Sequence, residues 1–459
     1  MTAIITNRLK RQFVDQLFDD INTGAGKYYI GIGRSEDWDS SDTPPTPLNS
    51  EREIRNARFG MQAVKSAANV SFVVPRYNWS SGTTYSAYDD SQVGYPTNAY
   101  YVLTDENSVY MCIQQGKNTA GAPVTSTVKP TGTATAVLRT SDGYVWKYLY
   151  TIGALQGVNF TSANFIPVSK ILDSAGAPGL SAIEVNQAQT QDAATAGEIV
   201  GVAITNGGSG YTTAPTISFL GNNTGKSAAA TATVAGGIVV KIEMDDSGTG
   251  KALGAGYDYA SVTITGGGGA GASARAMLSQ DSGLGADPRK DLRSFALMFN
   301  TKVDGTEGDT IQTGNDFRQT VLYKDPLFAD STGVFTGSVA NTLNYLKIST
   351  INTPFTLDRT IQGGSSTAKA YVDFIDSSFV YYHQSEETGF GTFQEGETLT
   401  EVDGNGDGIL EASGVDSDSR AYRFPTVDPL TGDILYIDNR SPIERSADQI
   451  EDIKIVVQL

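Results

Sequence analysis

Short runs of β-branched and aromatic residues, each ended by glycine or another turn-forming residue, recur along most of this sequence and constrain its fold more than any other feature. The 459 residues include 50 glycines and 22 tyrosines. β-Branched and aromatic residues favour strands, and the glycines between the runs favour tight turns. We therefore predict a mainly β protein: a layered antiparallel β-sandwich with a few loop helices.

The length of the chain predicts about two to four compact units, because a single hydrophobic core seldom grows this large. Hydrophobic residues make up 39% of the sequence, which is typical of a globular protein. No stretch approaches the roughly 18 consecutive apolar residues of a membrane span, and the N-terminus lacks the apolar region of a signal peptide. We expect a soluble product made in the cytoplasm.

Charge and composition exclude several classes of function. The formal net charge is −18, so the long-range field repels nucleic acid and anionic lipid, and neither is an expected ligand. Cys112 is the one cysteine, which we interpret as a buried structural thiol. His383 is the one histidine and lies in the strand-like run FVYYHQSEE. We interpret it as a strand residue rather than a catalytic base.

Two helices are predicted in the first 70 residues. In the first, over residues 5–24, Leu9, Phe13, Val14, Leu17, Phe18 and Ile21 fall on one face at helical spacing, and Gly24 or Gly26 ends it. The second covers residues 49–67. Ser50 and Glu53 form a capping box there, and Ile54, Ala57, Met61 and Val64 form its apolar stripe.

Between these helices, the segment YYIGIGRSEDWD at residues 28–39 runs from a predicted strand into a charged cluster. Its glycines lie within the strand and no helix follows directly, which argues against a phosphate-binding loop. Glu36 and Asp37 are adjacent on an extended chain, so their side chains point to opposite faces and do not readily flank one bond. We interpret Arg34, Glu36 and Trp38 as an assembly joint, in which Arg34 pairs with a carboxylate and Trp38 covers the edge of a core.

A repeat occupies residues 185–284, where glycine, alanine and threonine replace large side chains. Gly210-Tyr211 recurs as Gly256-Tyr257, and the strand-like triplet 217–219 recurs as 262–264. We predict an inserted, duplicated β module whose proximal boundary, residues 186–198, is a polar linker. Residues 331–419 are predicted to be an additional β segment or a second insertion. At the C-terminus, Ile453, Ile455, Val457 and Leu459 alternate with other residues and predict a half-buried strand.

Five blocks of the sequence match one known family in the same order. They are YIGIGRSEDWDSS (29–41), VVPRYNW (73–79), SDGYVWKYLYTI (141–152), NDFRQTVLYKDPL (315–327) and ILYIDNRSPIERSADQIEDIKIVVQL (434–459). Together they resemble the dimeric β-sandwich baseplate wedge subunit of T-even-like contractile-tailed bacteriophages. The similarity covers residues 1 to about 180, 290–330 and 420–459, a little over half of the chain.

The resemblance implies a β-sandwich core formed by residues 1–184 together with 285–330 and 420–459. It also implies a homodimer that attaches to other baseplate wedge proteins, without catalysis. Such a protein is assembled in the host cytoplasm and resides in the tail baseplate of the virion. For the predicted insertions the resemblance implies nothing.

One motif suggests a metal. Asp403, Asn405, Asp407 and Gly408 have the spacing of a calcium loop, in which Ile409 would supply its carbonyl oxygen. The glutamate expected at the twelfth position is replaced by Gly414, and no helices are predicted beside the loop. An ordinary solvated hairpin turn is the alternative, and no other cofactor is indicated.

Two other functions remain open at this point. Tyrosine-rich strands and the Gly-rich repeat suit a carbohydrate- or receptor-binding adhesin of the virion surface. A polysaccharide-degrading enzyme needs two carboxylates roughly 5 to 10 Å apart in a cleft. No such pair is evident in the sequence, so we expect a structural protein and not an enzyme.

Overall fold

The computed structural model describes the chain except for residues 1–2, 40, 68, 246–252, 306, 308–309, 331–332, 413–421 and 424. Antiparallel sheets dominate these residues and confirm the predicted mainly β fold with few helices. The helices are α1 (Asn7–Asn22), α2 (Glu51–Phe59), α3 (Ala154–Phe160), α4 (Ala182–Asp192) and α5 (Pro288–Asp291). Within the described part of the chain, no helix has the length and apolar character needed to cross a bilayer.

The strands of the first two thirds of the chain are β1 (Tyr28–Gly33), β2 (Met61–Ser66), β3 (Asn69–Pro75), β4 (Tyr101–Leu103), β5 (Ser108–Gln114), β6 (Leu138–Arg139), β7 (Val145–Thr151), β8 (Phe165–Val168), β9 (Ile199–Ser209), β10 (Thr216–Gly221), β11 (Ala230–Ala235), β12 (Ile238–Met244), β13 (Ala260–Thr265) and β14 (Ala270–Leu278). The later strands are β15 (Ala296–Val303), β16 (Asp316–Lys324), β17 (Leu327–Phe328), β18 (Val339–Asn341), β19 (Asn344–Thr353), β20 (Thr360–Gly363), β21 (Lys369–Asp376), β22 (Phe379–His383), β23 (Thr398–Glu401), β24 (Asp407–Leu410), β25 (Tyr422–Arg423), β26 (Val427–Asp428), β27 (Asp433–Glu444) and β28 (Glu451–Gln458).

Contacts divide the chain into two compact units. The first contains residues 1–14, 71–297 and 458–459, and the second contains 15–70 and 298–457. This division differs from the grouping implied by the family resemblance, because the predicted core segments are shared between the two units. Residues 331–419 belong to the second unit, where β18 pairs with β2. That 185–284 and 331–419 are insertions stays a prediction.

In the first unit, the two copies of the sequence repeat interlock. β10 of the first copy pairs antiparallel with β13 of the second, with Ile217 opposite Ile264 and Phe219 opposite Val262. Each copy also lends a strand to the other, since β9 pairs with β14 and β12 pairs with β11. β9 contacts β12 and β13 contacts β14, so the strands surround a shared core. Among the described residues, each core cluster of the module draws side chains from both copies.

Beside the repeat, the first unit contains a sheet with strand order β4-β5-β7-β6. Trp146 and several tyrosines fill its buried side together with Cys112, which is fully buried. The thiol is free, and burial raises its pKa. The interpretation of Cys112 as a buried structural residue is confirmed.

The second unit contains a five-stranded sheet and a seven-stranded sheet. The first has the order β18-β2-β1-β16-β27. The second has the order β22-β21-β20-β23-β24-β19-β25, and an additional pairing of β22 with β19 closes six of its strands around a core. Leu346, Ile361, Val372 and Leu399 lie in that core and are almost fully buried. The region predicted as an additional β segment therefore has its own hydrophobic core.

The first predicted helix is confirmed as α1, but its apolar residues do not all face inward. Val14 and Ile21 are buried, whereas Leu9 and Phe13 are 40% and 50% exposed. Gly24, two residues beyond the helix, has a φ of 68°, a conformation that glycine adopts without strain. The helical period therefore predicted the helix correctly and its packing only in part.

The second predicted helix was too long. Ser50 accepts a hydrogen bond from the backbone of Glu53 at 3.2 Å, as the capping box predicted, but α2 ends at Phe59. Met61 and Val64 belong to β2, which pairs with β1. Their spacing fits a helix equally well, and the sheet pairing decides the outcome.

The predicted polar linker at 186–198 was wrong over its first half, which belongs to α4. The side chains of Gln187 and Gln191 donate hydrogen bonds to the carbonyls of Ser169 and Ile171. Ser181 and Glu184 form a capping box at the start of this helix. The polar side chains of this segment hydrogen-bond to backbone carbonyls of the protein instead of to solvent. Composition alone did not reveal these contacts.

The C-terminal strand is confirmed as β28, which lies next to β15 in the second unit. Its burial is less complete than predicted. Ile453 and Ile455 are buried, Val457 is half-buried and Leu459 is 43% exposed beyond the strand. Two residues of the alternating set, rather than four, contribute fully to a core.

Candidate functional site

The charged cluster that follows β1 begins where the strand leaves the middle of its sheet. β1 is paired on both sides, with β2 and β16. A Cβ atom at Gly33 would lie 2.4 Å from the carbonyl oxygen of Gly60, so only glycine fits at this point. Arg34 follows with a φ of 60° and donates its backbone N–H to the same carbonyl at 2.7 Å. The sharp change of direction sends the next residues out of the sheet.

The three residues predicted as an assembly joint lie together. The guanidinium of Arg34 lies 4.2 Å from the ring centre of Trp38, a cation–π contact. Its Nη1 is 4.0 Å from a carboxylate oxygen of Glu36. The indole N–H of Trp38 donates to the carbonyl of Arg440 at 2.7 Å. The cluster is thus attached to β27 through Trp38.

Arg318 of β16 holds the loop that follows β1. Its side chain is only 6% exposed. Nη2 donates to Asp37 at 2.7 Å, and Nε donates to Asp42 at 2.8 Å. Nη1 donates to Asp316 at 2.7 Å and also to the carbonyl of Ser35. Because a guanidinium presents its donors in a fixed plane, these contacts fix the conformation of the loop.

This network keeps Arg318 charged. Burial acts to lower the pKa of Arg318, but its hydrogen bonds and ion pairs with Asp42 and Asp316 outweigh burial and raise it. The same hydrogen bond lowers the pKa of Asp42. For Asp316, burial is the larger effect and raises the pKa. The carboxylates of Asp37, Asp42 and Asp316 all pair with this one guanidinium.

A second network joins the cluster to the hairpin of β21 and β22. His383, 4% exposed, lies at the end of β22 with Nδ1 2.7 Å from a carboxylate oxygen of the fully buried Asp373. The other ring nitrogen, Nε2, is 3.5 Å from Glu36. The hydroxyl of Ser35 donates to the second oxygen of Asp373 at 2.5 Å. The interpretation of His383 as a strand residue is confirmed, and the structure adds its two carboxylate partners.

The two carboxylates determine the protonation of the histidine. Burial alone would lower the pKa of His383, but Asp373 and Glu36 outweigh it and raise the pKa to about 10. Burial acts to raise the pKa of Glu36, but the hydrogen bond and charge of His383 and the charge of Arg34 lower it. Near neutral pH the raised pKa favours the imidazolium, which donates from Nδ1 to Asp373 and forms an ion pair with Glu36. It then has no free lone pair, so it does not act as a general base.

An open cleft of about 740 Å³ lies in the second unit beside this cluster. Its lining mixes charged, amide and aromatic side chains, among them Arg34, Glu36, Trp38, Asn56, Phe59, Gln319, Tyr371 and His383. Arg52 and Glu386 form an ion pair of 2.9 Å there. Their side chains are 70% and 44% exposed, so the pair adds little stability.

The residues of the predicted calcium loop lie between β23 and β24 and within β24 itself: Asp403, Asn405, Asp407 and Ile409. The carboxylate of Asp407 accepts a hydrogen bond from Asn352 at 2.8 Å, and the carbonyl of Ile409 accepts one from Ser349 at 3.0 Å. Gly414 lies outside the described residues. Among the residues that are described, no group of three or more His, Cys, Asp or Glu side chains could hold a metal ion. The geometry is that of a hairpin turn, and calcium binding stays a prediction.

Sequence reasoning found Arg34, Glu36 and Trp38. It missed Arg318 and Asp373, which hold the same segment through Ser35. Both lie on strands remote in sequence, and each looks like an ordinary charged strand residue. Neither models of known protein families nor curated protein sequences match this chain. Its function is therefore inferred from the geometry of this cluster and from the five resembling sequence blocks.

Proposed function

We propose that this chain is a structural component of a phage tail baseplate wedge, where it assembles as a homodimer with neighbouring wedge proteins. The order of the five sequence blocks supports this proposal. The position of the cluster's histidine between two carboxylates also suits a structural role. On this proposal the chain has no enzymatic activity and resides in the tail baseplate after assembly in the host cytoplasm.

The observation that carries the proposal is the rigid hold on the segment that contains Arg34 and Trp38. Arg318 fixes it from β16 and His383 fixes it from β22. Arg and Trp are among the side chains that most often dominate protein interfaces. A segment that is already ordered loses little conformational entropy on binding, which favours a permanent joint.

The joint is tested by tail assembly in vitro with Arg34→Ala and Trp38→Ala. β1 keeps its core residues in both variants, so we expect folded proteins with melting temperatures lowered by several degrees. We expect both to join the baseplate poorly. Arg8→Ala and Tyr259→Ala are matched controls, because these side chains are exposed and far from the cluster in sequence. Normal tails from both joint variants would refute the joint.

The dimer is tested separately by light scattering on the purified chain. We expect a mass of about twice the 48.6 kDa of one chain. A monomer throughout the micromolar range would count against the dimer. A monomer would not bear on the joint, which the assembly experiment tests by itself.

A further inference from the structure

A smaller groove of about 380 Å³ lies elsewhere in the second unit, between strands β16, β27 and β28. Phe317 and Thr320 line it from β16, Arg440 and Ile443 from β27, and residues 451–454 from β28. Its volume is about thirteen times the roughly 30 Å³ that one water molecule occupies in the liquid, so a small organic molecule fits. The groove shares strands β16 and β27 with the Arg34 cluster, but Arg34, Glu36 and Trp38 do not line it.

The charged side chains of this groove are already balanced. Lys454 pairs with Asp452 at 2.7 Å. Arg440 pairs with Asp438 at 2.5 Å, and Glu451 pairs with the buried Arg445 at 3.1 Å. The three cations already have counter-ions, so a cationic ligand would find no unpaired carboxylate to bind. An anionic ligand would be repelled by Glu451 and Asp452. The balance favours a neutral ligand.

Glu451 nevertheless has hydrogen-bonding capacity that the chain does not use. Its Oε2 accepts from Nε of Arg445, but no donor in the described part of the chain reaches its buried Oε1. Arg445 cannot supply one, because its remaining N–H groups donate to carbonyl oxygens. Those carbonyls belong to Asp304, Gly305, Ile311 and Gln312. A buried acceptor of this kind is uncommon in folded proteins and calls for a donor from outside the chain.

Thr320 provides a second unused group in the same groove. The residue is 1% exposed, and its hydroxyl has no hydrogen-bond partner among the described residues. A carboxylate oxygen only accepts, whereas a threonine hydroxyl both donates and accepts. A hydroxyl group on a ligand can donate to Glu451, and another can accept from Thr320. The apolar side chains of Phe317, Ile443 and Ile453 suit the C–H groups of such a ligand.

We propose that this groove binds a neutral, polyhydroxylated ligand about the size of one sugar ring. Glu451 and Thr320 would contact its hydroxyl groups, and the apolar side chains would contact its carbon skeleton. Because neither Arg34 nor Trp38 lines this groove, ligand binding here is tested apart from the proposed assembly joint.

Ligand-detected NMR on the full chain tests the proposal, with glucose, galactose, N-acetylglucosamine and glycerol as probes and butylamine as a cationic comparison. We expect saturable binding of at least one sugar and none of butylamine. Thr320→Val keeps the shape of the side chain and removes the hydroxyl, so it should weaken binding roughly five- to tenfold. Thr350→Val is the matched control, since Thr350 is exposed on β19 and does not line the groove, and binding should not change.

Ile443→Tyr provides a second variant, because Ile443 is half-buried on an edge strand and a larger side chain there narrows the groove without disturbing a core. We expect it to fold and to bind the sugar more weakly. The proposal is overturned if the folded wild type shows no saturable binding of any of the four neutral probes. Equal binding by wild type and Thr320→Val, or binding of butylamine in place of the sugars, would also overturn it.

Discussion

The histidine between two carboxylates should make the stability of the second unit depend on pH in the alkaline range. His383 has a pKa of about 10 in the folded chain, against an ordinary value of 6.5 in an unfolded one. A group whose pKa is raised on folding stabilises the folded state, and this stabilisation is fully present when the pH is below the pKa that the group has in the unfolded chain. That contribution is lost as the pH rises through the folded value. The stabilisation is therefore complete below about pH 6.5 and disappears near pH 10.

The size of the effect follows from the two pKa values. Each pH unit between them corresponds to about 1.4 kcal/mol, so the whole difference corresponds to about 5 kcal/mol. This is comparable to the total stability of a small domain. His383 is buried, and its partners Glu36 and Asp373 are both in direct reach, so solvent screening reduces the effect little. Tyr371, whose ring lies 5.4 Å away, has a raised pKa and stays neutral through most of this range.

The assay is urea unfolding of wild type and His383→Gln at intervals from pH 6 to pH 10, followed by tryptophan fluorescence. Trp38 reports on the second unit, and Trp79 and Trp146 report on the first. Titration of lysines and tyrosines affects both proteins and cancels in their difference. We expect wild type to be several kcal/mol more stable near pH 6.5, and the difference to shrink steadily toward pH 10. A difference that does not change with pH would refute the assignment of an imidazolium held between Glu36 and Asp373.

Three further predictions concern stability. Removing the last eight residues deletes the buried Ile453 and Ile455, whose burial contributes about 3 to 6 kcal/mol to the free energy of unfolding. We expect the truncated protein to aggregate, which light scattering detects. A soluble, dimeric product would contradict this prediction. Deleting residues 199–278 should leave a chain that unfolds in a cooperative calorimetric transition. Ile199 and Leu278 are paired, so the residues on either side of the deletion lie close enough to be joined. Loss of the cooperative transition would show that the repeat is part of a larger core. Arg318→Met should lower the free energy of unfolding, measured by urea denaturation, by about 3 kcal/mol. The matched control Arg359→Met changes an exposed residue and should alter that free energy by less than about 0.5 kcal/mol. Equal effects of the two substitutions would refute the role of the Arg318 network.

Local sequence patterns predicted those elements whose conformation depends on near neighbours. The apolar period predicted α1, alternation predicted β1 and β28, and the serine at position 50 predicted the start of α2. The end of α2 was missed because Met61 and Val64 fit a helix and a strand equally well. Pairing with β1, which is 30 residues away in sequence, decides between them.

The candidate site was predictable only in the part that is continuous in sequence. Arg34, Glu36 and Trp38 lie within five residues and stand out as charge and an indole after an apolar strand. Arg318 and Asp373 hold the same segment from other strands, and their local sequence does not indicate these contacts. The interlocking of the repeat was likewise hidden, because a repeat in sequence does not state which copy each strand pairs with.

Electron microscopy of the assembled phage tail, at a resolution that traces this chain, tests the central claim most directly. We predict that the copies lie in pairs in the baseplate wedges, with the segment around Trp38 of each copy in contact with a neighbouring wedge protein. Absence of the chain from the baseplate, or its location at a fibre tip or on the outer surface alone, would contradict the account.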